Sequence, residues 1–178
     1  MQTALVTGCS SGIGYATCDL LLQNGWYVVG VDKAPTLMSD PNMDFIQCSV
    51  EELNETRIKP QCIDLLVNNA GVRGFKSILE TNCDEWGSIL ATNLTSPFIL
   101  TKLLFKRIKK PGGCIVNVAS IHTFATTENN APYAASKAGL DSLTRSMALE
   151  FDTYNIRVNS VLPGAIDTPF LRQGVVRT

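Results

Sequence analysis

The sequence predicts an α/β fold in which helices cover both faces of a doubly wound parallel sheet. Two observations favour this fold. Short apolar segments alternate with segments of helical periodicity along the 178 residues, and the apolar segments are continuous rather than alternately polar. Continuous apolar strands are typical of parallel sheets that are buried on both faces. Because no repeat, low-complexity segment or linker divides the chain, we expect residues 1–178 to form a single domain with three α/β/α layers.

Four strands and two helices are predicted in the first half of the chain. The predicted strands are its short apolar segments: Thr3–Thr7, Trp26–Val31, Phe45–Cys48 and Ile63–Val67. One helix is predicted over Gly12–Asn24 and ends at Gly25, and a second is predicted over Glu51–Lys59 and ends at Pro60. Glycine commonly follows the last turn of a helix, and proline cannot continue one. Prolines and small polar residues over 34–43 predict a loop between the second and third strands.

The second half of the chain alternates in the same way. We predict helices over Asp84–Lys110 and Pro132–Tyr154, and strands over Gly113–Val118 and Ile156–Leu162. The first of these helices is apolar over a wide arc, which indicates deep packing. Packing against a second subunit is the alternative explanation of the same pattern.

Composition excludes several classes of protein. Apolar residues make up 45% of the chain, too many for a disordered protein, and the formal net charge of -1 comes with no basic stretch suited to nucleic acid. No apolar run approaches the ~20 residues that a membrane span needs. The first residues, Met1–Thr3, lead straight into a strand without the basic region of a signal peptide, so we expect a cytoplasmic protein.

The six cysteines favour free thiols over disulfides or a metal site. They stand at positions 9, 18, 48, 62, 83 and 114, where no two form a C-x-x-C pair and no spacing matches a zinc site. In a cytoplasmic protein of this size we expect reduced thiols, most of them buried, and no metal.

A glycine-rich segment after the first predicted strand predicts a dinucleotide site. It reads Gly8-Cys9-Ser10-Ser11-Gly12-Ile13-Gly14, a G-x-x-x-G-x-G spacing at the turn from strand to helix. Gly8 permits a tight turn, Gly12 lets backbone amides approach a pyrophosphate, and Gly14 lets the helix pack against the sheet. Its place near the N-terminus, between a strand and a helix, indicates the cofactor loop of a Rossmann-type fold rather than an ordinary glycine-rich turn.

Asp32 ends the second predicted strand and indicates which cofactor binds. At this distance after Gly14, a carboxylate can accept hydrogen bonds from the adenosine ribose. The same carboxylate would repel a 2′-phosphate, so we expect NAD as the cofactor. Lys33 could pair with that phosphate, which keeps NADP as the alternative.

Tyr133, Lys137 and Ser120 predict the chemistry. The tyrosine and the lysine lie four residues apart near the start of a helix and share one face, and Ser120 ends the fifth predicted strand. Both positions meet at the carboxyl edge of the sheet, where ligands bind. Hydride transfer to a carbonyl leaves an alkoxide, and a tyrosine can protonate it if a nearby ammonium lowers its pKa of ~10. With Ser120 holding the carbonyl oxygen, the three residues indicate an oxidoreductase acting on a carbonyl/secondary alcohol pair.

Taken in order, these motifs resemble the short-chain dehydrogenase/reductase family over nearly the whole chain. Further residues carry the resemblance: Asn68-Asn69-Ala70-Gly71 after the fourth strand, Asn93 within Thr92-Asn93-Leu94, and Pro163-Gly164 followed by Ile166 and Thr168. The short crossovers resemble those of compact bacterial members, the 3-oxoacyl-carrier-protein reductases.

The resemblance implies a role for each of these residues. Asn93, Ser120, Tyr133 and Lys137 would be catalytic, with Asn93 interrupting its helix and holding a water that connects Lys137 to solvent. Tyr133 and Lys137 would also contact the cofactor, together with a larger set: Gly8, Ser10, Ser11, Gly12, Ile13, Gly14, Asp32, Val50, Asn69, Ala70, Gly71, Pro163, Gly164, Ile166 and Thr168. The last four would lie near the nicotinamide. The family also implies a small-molecule substrate and a homo-oligomer, dimer or tetramer, built through paired long helices.

The sequence departs from the family pattern in two places. Cys48-Ser49-Val50 stands where the family usually carries an aspartate near the adenine. The sequence ends at Thr178, whereas the family continues with a substrate lid, another helix and a seventh strand. We therefore expect the C-terminal strand and the lid to be missing, and with them the residues that would identify the substrate.

Two other functions fit a fold of this kind. A catalytically silent dinucleotide-binding regulator would not need the full set Asn93, Ser120, Tyr133 and Lys137, and a methyltransferase would not need the tyrosine–lysine pair. The single histidine, His122, could contact a substrate, but a loop histidine without a partner is the favoured interpretation.

Overall fold

A computed structural model describes residues 1–172 as one parallel sheet flanked by helices. The strands are β1 (Thr3–Thr7), β2 (Tyr27–Asp32), β3 (Met43–Gln47), β4 (Leu65–Asn68), β5 (Cys114–Val118) and β6 (Arg157–Val161). All neighbouring strands are parallel, in the spatial order β3-β2-β1-β4-β5-β6. The helices are α1 (Gly12–Gln23), α2 (Cys83–Leu90), α3 (Ser96–Leu104), α4 (Ala131–Phe151) and α5 (Pro169–Arg172). The predicted Rossmann-type, doubly wound fold is confirmed.

The sheet divides the core into two halves. Adjacent residues of β1 serve opposite faces, because side chains alternate along a strand. Leu5 belongs to the apolar cluster that contains Leu104 of α3 and Met147 of α4, whereas Val6 belongs to the cluster that contains Cys18 of α1. Helices therefore cover both faces, which makes the three predicted layers.

The order of the strands places a crevice at the carboxyl edge of the sheet. β2 and β3 lie on one side of β1, and β4, β5 and β6 lie on the other. The chain leaves the ends of β1 and β4 in opposite directions, and ligands of open α/β sheets bind at such a switch point. Thr7 and Asn68, the last residues of these two strands, mark its position.

The helix predicted over Glu51–Lys59 is wrong. Two 3₁₀ turns, Val50–Glu52 and Glu55–Arg57, stand in its place. Between them the Asn54 side chain accepts a hydrogen bond of 3.2 Å from the amide of Thr56. Such a bond gives the backbone a local alternative to a helix.

The long helix predicted over Asp84–Lys110 is interrupted and ends early. A π-helical segment, Ala91–Thr95, separates α2 from α3. Pro97 follows Asn93 by four residues and has no amide hydrogen to offer the Asn93 carbonyl, which disfavours regular α-helical bonding at this point. The helix therefore breaks at Asn93, as the family resemblance implies. The other predicted elements agree with the structure to within one helical turn, and the short helix α5 was not predicted.

The cysteines only partly follow the expectation. All six are free in the described part of the chain, as predicted. Cys9, Cys18 and Cys48 are buried, but Cys62 and Cys83 are exposed, so burial holds for half of them. Among residues 1–172, no helix has the length and apolar character to span a membrane.

Candidate active site

The glycine loop lies tightly against its neighbours at the crevice. Gly8 and Gly12 have φ angles of 68° and 53°, in the region that side chains rarely adopt. A Cβ atom on Gly8 would lie 2.8 Å from the Cα of Ala70, and one on Gly14 would lie 2.0 Å from the Gly8 carbonyl oxygen. Side chains are therefore excluded where the loop approaches α1 and the end of β4.

The N-terminus of α1 is open to an anion. The residue at its N-cap, Ser11, makes no side-chain hydrogen bond to the helix, and the first turn contains no acidic residue. The first amides of a helix have no acceptor within it and attract negative charge. Thr168 lies on the other side of the loop, since a Cβ on Gly12 would come within 3.2 Å of the Thr168 Cβ. These residues fit the pyrophosphate of a dinucleotide, with Ile13 packed against the core beneath it.

Asn69 and Ala70 are tied to the glycine loop by four hydrogen bonds. The Asn69 Nδ2 donates to the carbonyl oxygens of Thr7 and Gly8 at 2.9 and 3.0 Å. The hydroxyl of Thr7 accepts from the amides of Asn69 and Ala70, both at 3.0 Å. Two segments that the sequence assigned to the cofactor therefore form one connected unit.

Asp32 lies beside the same loop at the end of β2. One of its carboxylate oxygens accepts from the Ser10 amide and the other from the Ala34 amide, each at 2.9 Å. The Ser10 hydroxyl donates to the Ala34 carbonyl at 2.9 Å. Because a carboxylate oxygen can accept more than one hydrogen bond, Asp32 keeps the capacity to bind a ribose hydroxyl.

Asn93 is fully buried and joins three parts of the site. Its Oδ1 accepts from the Val72 amide at 2.8 Å, and its Nδ2 donates to the Val72 carbonyl at 2.8 Å and to the Ser136 hydroxyl at 3.0 Å. A Cβ on Gly71 would lie 3.5 Å from both the Asn93 Oδ1 and the Lys137 Nζ. The buried amide of Asn93 and the buried ammonium of Lys137 thus both lie beside the backbone of Gly71.

Lys137 is a buried cation on the face of α4 that carries Tyr133. Its Nζ donates a hydrogen bond of 2.6 Å to the Val118 carbonyl and lies 5.8 Å from the centroid of the Tyr133 ring. Only 3% of the residue is exposed, and burial lowers the pKa of the ammonium to about 8.

Tyr133 lies in the first turn of α4 with 7% of its surface exposed. Burial raises the pKa of its phenol, while a hydrogen bond with Ser120 and the charge of Arg73 act in the opposite direction. The sequence interpretation assigned the lowering of this pKa to Lys137. In the structure the groups that oppose the effect of burial are Ser120 and Arg73.

His122, for which the sequence favours a loop histidine with no partner role, has two close neighbours at the site. Its ring lies edge-on to that of Tyr133 at a centroid distance of 5.6 Å, and its Nδ1 lies 3.0 Å from the Thr126 hydroxyl. Its backbone amide donates to the Ser120 hydroxyl at 3.2 Å. Burial, followed by the charge of Arg73, lowers the pKa of the imidazole.

The remaining predicted cofactor residues lie along the carboxyl edge. The carbonyl of Pro163 accepts from the Ile121 amide at 3.1 Å, next to Ser120. Gly164 and Ile166 are exposed, and the Thr168 hydroxyl donates to the Ile166 carbonyl at 3.2 Å. Val50 lies apart from this group, after β3, the outermost strand on the Asp32 side.

Two further residues of the site, Arg73 and Phe170, were not predicted from the sequence. The guanidinium carbon of Arg73 lies 5.5 Å from the Tyr133 ring centroid and 5.7 Å from that of Phe170. The rings of Tyr133 and Phe170 are themselves 5.9 Å apart. The one available signal for Arg73 was an isolated cation two residues after Gly71, and Phe170 had none.

Comparison with known proteins identifies the family. A family model described as short chain dehydrogenase matches residues 2–175. The chain belongs to the short-chain dehydrogenase/reductase family. This short-chain dehydrogenase/reductase is therefore an NAD(P)-dependent oxidoreductase, and the family and the enzyme class predicted from its sequence are confirmed.

Relatives of this short-chain dehydrogenase/reductase match most of its length. An uncharacterized oxidoreductase of Thermotoga maritima is 35% identical over 94% of the chain and 72% of the relative. The 3-oxoacyl-[acyl-carrier-protein] reductase of Buchnera aphidicola is 33% identical over 95% of the chain and 75% of the relative. The solved structure of a 4-hydroxyisoleucine dehydrogenase complexed with NADH is 31% identical, with a TM-score of 0.86 over 97% of this chain and 77% of that one.

Proposed function

We propose that this enzyme interconverts a carbonyl and a secondary alcohol, with Tyr133 as the general acid and base. The observation that carries the proposal is the convergence of Tyr133, Ser120 and Lys137 at the switch point, behind the glycine loop. A catalytically silent nucleotide binder would have no need of a phenol beside a serine and a buried ammonium.

In the reductive direction, a carbonyl compound, a hydride and a proton give a secondary alcohol. The bound nicotinamide supplies the hydride, or accepts it when the alcohol is oxidised. The Ser120 hydroxyl donates a hydrogen bond to the substrate oxygen, and Tyr133 transfers its phenol proton to that oxygen. The phenolate that remains is stabilised by the nearby Lys137 ammonium, whose charge is poorly screened inside the protein.

We assign the return of the proton to Lys137 and Asn93. With a pKa of about 8, Lys137 can both hold and release a proton under ordinary conditions. The side-chain amide of Asn93 is already bonded to Val72 and Ser136. A water that connects Lys137 to solvent would therefore bind the Asn93 backbone carbonyl, for which Pro97 has no amide hydrogen.

The residues that would hold the cofactor follow from the same geometry. The pyrophosphate would lie against the glycine loop and the first turn of α1, and Asp32 would accept hydrogen bonds from the adenosine ribose. Lys137 would bind the nicotinamide ribose through its ammonium hydrogens. Because the Asp32 carboxylate repels a 2′-phosphate, we propose NAD as the preferred cofactor.

We further propose that the enzyme is a homo-oligomer that works in the cytoplasm. The helices α2 and α3 carry exposed apolar side chains. Trp86 is 42% accessible to solvent, Phe98 48% and Ile99 54%. A surface of this kind favours a protein partner, and a second subunit is the partner that the family resemblance implies. The free thiols among residues 1–172 are typical of a reducing compartment. Light scattering of the purified protein tests the oligomer, and a monomer at micromolar concentration would contradict it.

The proposal is tested by turnover of the wild type and of Tyr133→Phe. Wild-type protein should oxidise NADH in the presence of at least one member of a panel of aliphatic ketones, oxo esters and oxo acids. Tyr133→Phe should lower kcat by ~100-fold or more, because a positioned acid contributes at least this much, while the Kd for NADH stays nearly constant. Tyr154→Phe, at an exposed tyrosine beyond the end of α4, is the matched control and should be fully active. A wild type that binds NADH but turns over no carbonyl would favour the silent regulator.

The relatives differ in substrate. The names of the Buchnera aphidicola relative and of the similar solved structure refer to a 3-oxoacyl-[acyl-carrier-protein] and to 4-hydroxyisoleucine. Their similarity to this chain supports the class of reaction, whereas the choice of substrate depends on side chains of the cleft beside Tyr133.

A further inference from the structure

Arg73 lies against three aromatic rings at the edge of the proposed catalytic site. Its guanidinium carbon is 4.0 Å from the centroid of Phe75, 5.5 Å from that of Tyr133 and 5.7 Å from that of Phe170. Aromatic faces attract a cation, but they provide no hydrogen-bond acceptor of ordinary strength. The rings therefore hold the guanidinium in place and leave its N–H groups available.

The charge of Arg73 has no protein anion within residues 1–172. None of the ion pairs formed by these residues includes Arg73. Among the described residues it makes one protein hydrogen bond, of 3.0 Å from Nη2 to the Asn130 Oδ1, and its Nε is buried without an acceptor there. Arg73 is half-buried, and a guanidinium with five N–H donors is far from satisfied by one protein hydrogen bond. An exception of this kind in a folded protein calls for an explanation.

The orientation of Arg73 is set by a buried amide. Asn130 is almost inaccessible to solvent, and its Nδ2 donates to the Thr127 hydroxyl at 2.7 Å and to the Glu128 carbonyl at 3.0 Å. These two bonds direct the Asn130 Oδ1 towards the arginine. Arg73 is thus positioned by the same loop that leads into α4 and Tyr133.

Arg73 also lines a cleft of about 450 Å³, which is within the range of small-molecule sites. Most of its walls are apolar, with contributions from Val72, Phe75, Ile89 and Pro132. Two carboxylates face the cleft. Glu85 is paired with Lys76, and Asp84 forms no ion pair with Arg73 among the described residues. Arg73 is therefore a cation between an apolar cleft and the Tyr133 ring.

We propose that Arg73 binds a carboxylate of the substrate, so that the enzyme acts on short oxo acids and the matching hydroxy acids. This inference rests on the proposed function, since it takes Tyr133 as the group that contacts the reacting oxygen. Because the guanidinium carbon of Arg73 lies 5.5 Å from the centroid of the Tyr133 ring, one small molecule can contact both residues. The planar fork of arginine binds a carboxylate through two parallel hydrogen bonds, which would also fix the orientation of the carbonyl.

Matched charged and neutral substrates test the proposal. The probes are 4-oxopentanoate and 3-oxobutanoate, each beside its methyl ester, with NADH and the full chain. Arg73→Gln should lower the ratio of kcat/KM for each acid to kcat/KM for its own ester by roughly 10- to 100-fold, the usual loss for a charge-assisted hydrogen bond. The ratio cancels the effect that the lost charge has on the pKa of Tyr133, because this effect is common to the acid and its ester. Arg73→Lys, which keeps the charge but not the fork, should retain an intermediate preference for the acids. Arg157→Gln, an exposed arginine at the opposite edge of the sheet, should leave the preference unchanged.

A binding measurement separates this proposal from the proposed function. Calorimetric titration of the NADH-saturated protein with butanoate and with butanamide needs no turnover. Butanoate should bind at least about 10-fold more tightly than butanamide, and Arg73→Gln should remove the difference while NADH affinity stays constant. Equal binding of the two compounds would overturn the role of Arg73 even if ketones and esters are reduced. Preferential butanoate binding without turnover of any probe would instead support Arg73 and contradict the proposed reaction.

Discussion

Lys137 donates a hydrogen bond of 2.6 Å from its Nζ to the backbone carbonyl of Val118, the last residue of β5. The bond ties the start of α4 to the strand that leads into Ser120. It therefore constrains the distance between Ser120 and Tyr133, which lies one helical turn before Lys137. A single ammonium in this way serves the geometry of the site as well as its electrostatics.

Replacing Lys137 should alter both cofactor binding and the pH dependence of turnover. Lys137→Met removes the ammonium from the Tyr133 phenol, whose pKa burial already raises. The pH profile of kcat should move to higher pH, and the Kd for NADH should rise by ~10-fold or more through the lost charge-assisted hydrogen bonds. The two quantities are measured separately, by steady-state kinetics and by fluorescence titration. An unmoved profile would remove the electrostatic role, and an unchanged Kd would remove the ribose contact.

The same variant should reveal the cost of burying Lys137. Burial lowers its pKa from 10.5 to about 8 in the folded protein. Between these two values the unfolded chain carries a proton that the folded protein has released, so the free energy of unfolding rises with pH in this window and is flat on either side. Between pH 8 and pH 10.5, the free energy of unfolding of the wild type should therefore rise by about 3 kcal/mol relative to that of Lys137→Met. Urea unfolding of both proteins across this range measures the difference. If the difference in free energy of unfolding between the two proteins stays constant with pH, Lys137 remains protonated in the folded protein across this range.

Asp32 should make the enzyme prefer NADH over NADPH. In the proposed cofactor site its carboxylate would repel a 2′-phosphate, and its two oxygens also hold the amides of Ser10 and Ala34. Asp32→Asn keeps the shape of the side chain but removes its charge. The Kd for NADPH divided by the Kd for NADH should therefore fall by roughly 10-fold, the effect expected of one poorly screened charge. Fluorescence titration with both cofactors gives the ratio. Tighter binding of NADPH by the wild type would make Lys33 the determinant instead.

Two glycine-to-alanine variants should have opposite effects on stability. A Cβ on Gly14 would lie 2.0 Å from the Gly8 carbonyl oxygen, whereas one on Gly87 in α2 meets no atom within 4 Å. Gly14→Ala should destabilise the fold by more than about 2 kcal/mol, because the backbone of the loop must move. Gly87→Ala should instead stabilise it by up to ~1 kcal/mol through helix propensity. Urea unfolding measures both, and equal effects of the two variants would contradict the tight packing of the loop.

Elements with strong local patterns were predictable from the sequence. β1 and β2 needed only continuous apolar runs, and the glycine loop needed only its spacing at a turn from strand to helix. The helix over Glu51–Lys59 failed because a single hydrogen bond to the Asn54 side chain outweighs a weak helical pattern in a segment too short to be stable alone. A small difference in free energy therefore decides between the helix and the 3₁₀ turns, and hydrophobic periodicity does not reveal that difference.

For this protein, the sequence by itself determined the order of the six strands, the glycine-rich turn after β1 and the residue types of the proposed catalytic set. These depend on neighbours within a few positions along the chain, and on the rule that parallel strands bring their carboxyl ends to one edge. Only the tertiary structure decided that Arg73, His122 and Phe170 surround Tyr133, and that Asn93 is bonded to Ser136. Those contacts join residues that are between 11 and 60 positions apart, and their geometry depends on how whole helices and loops pack, which no local pattern encodes.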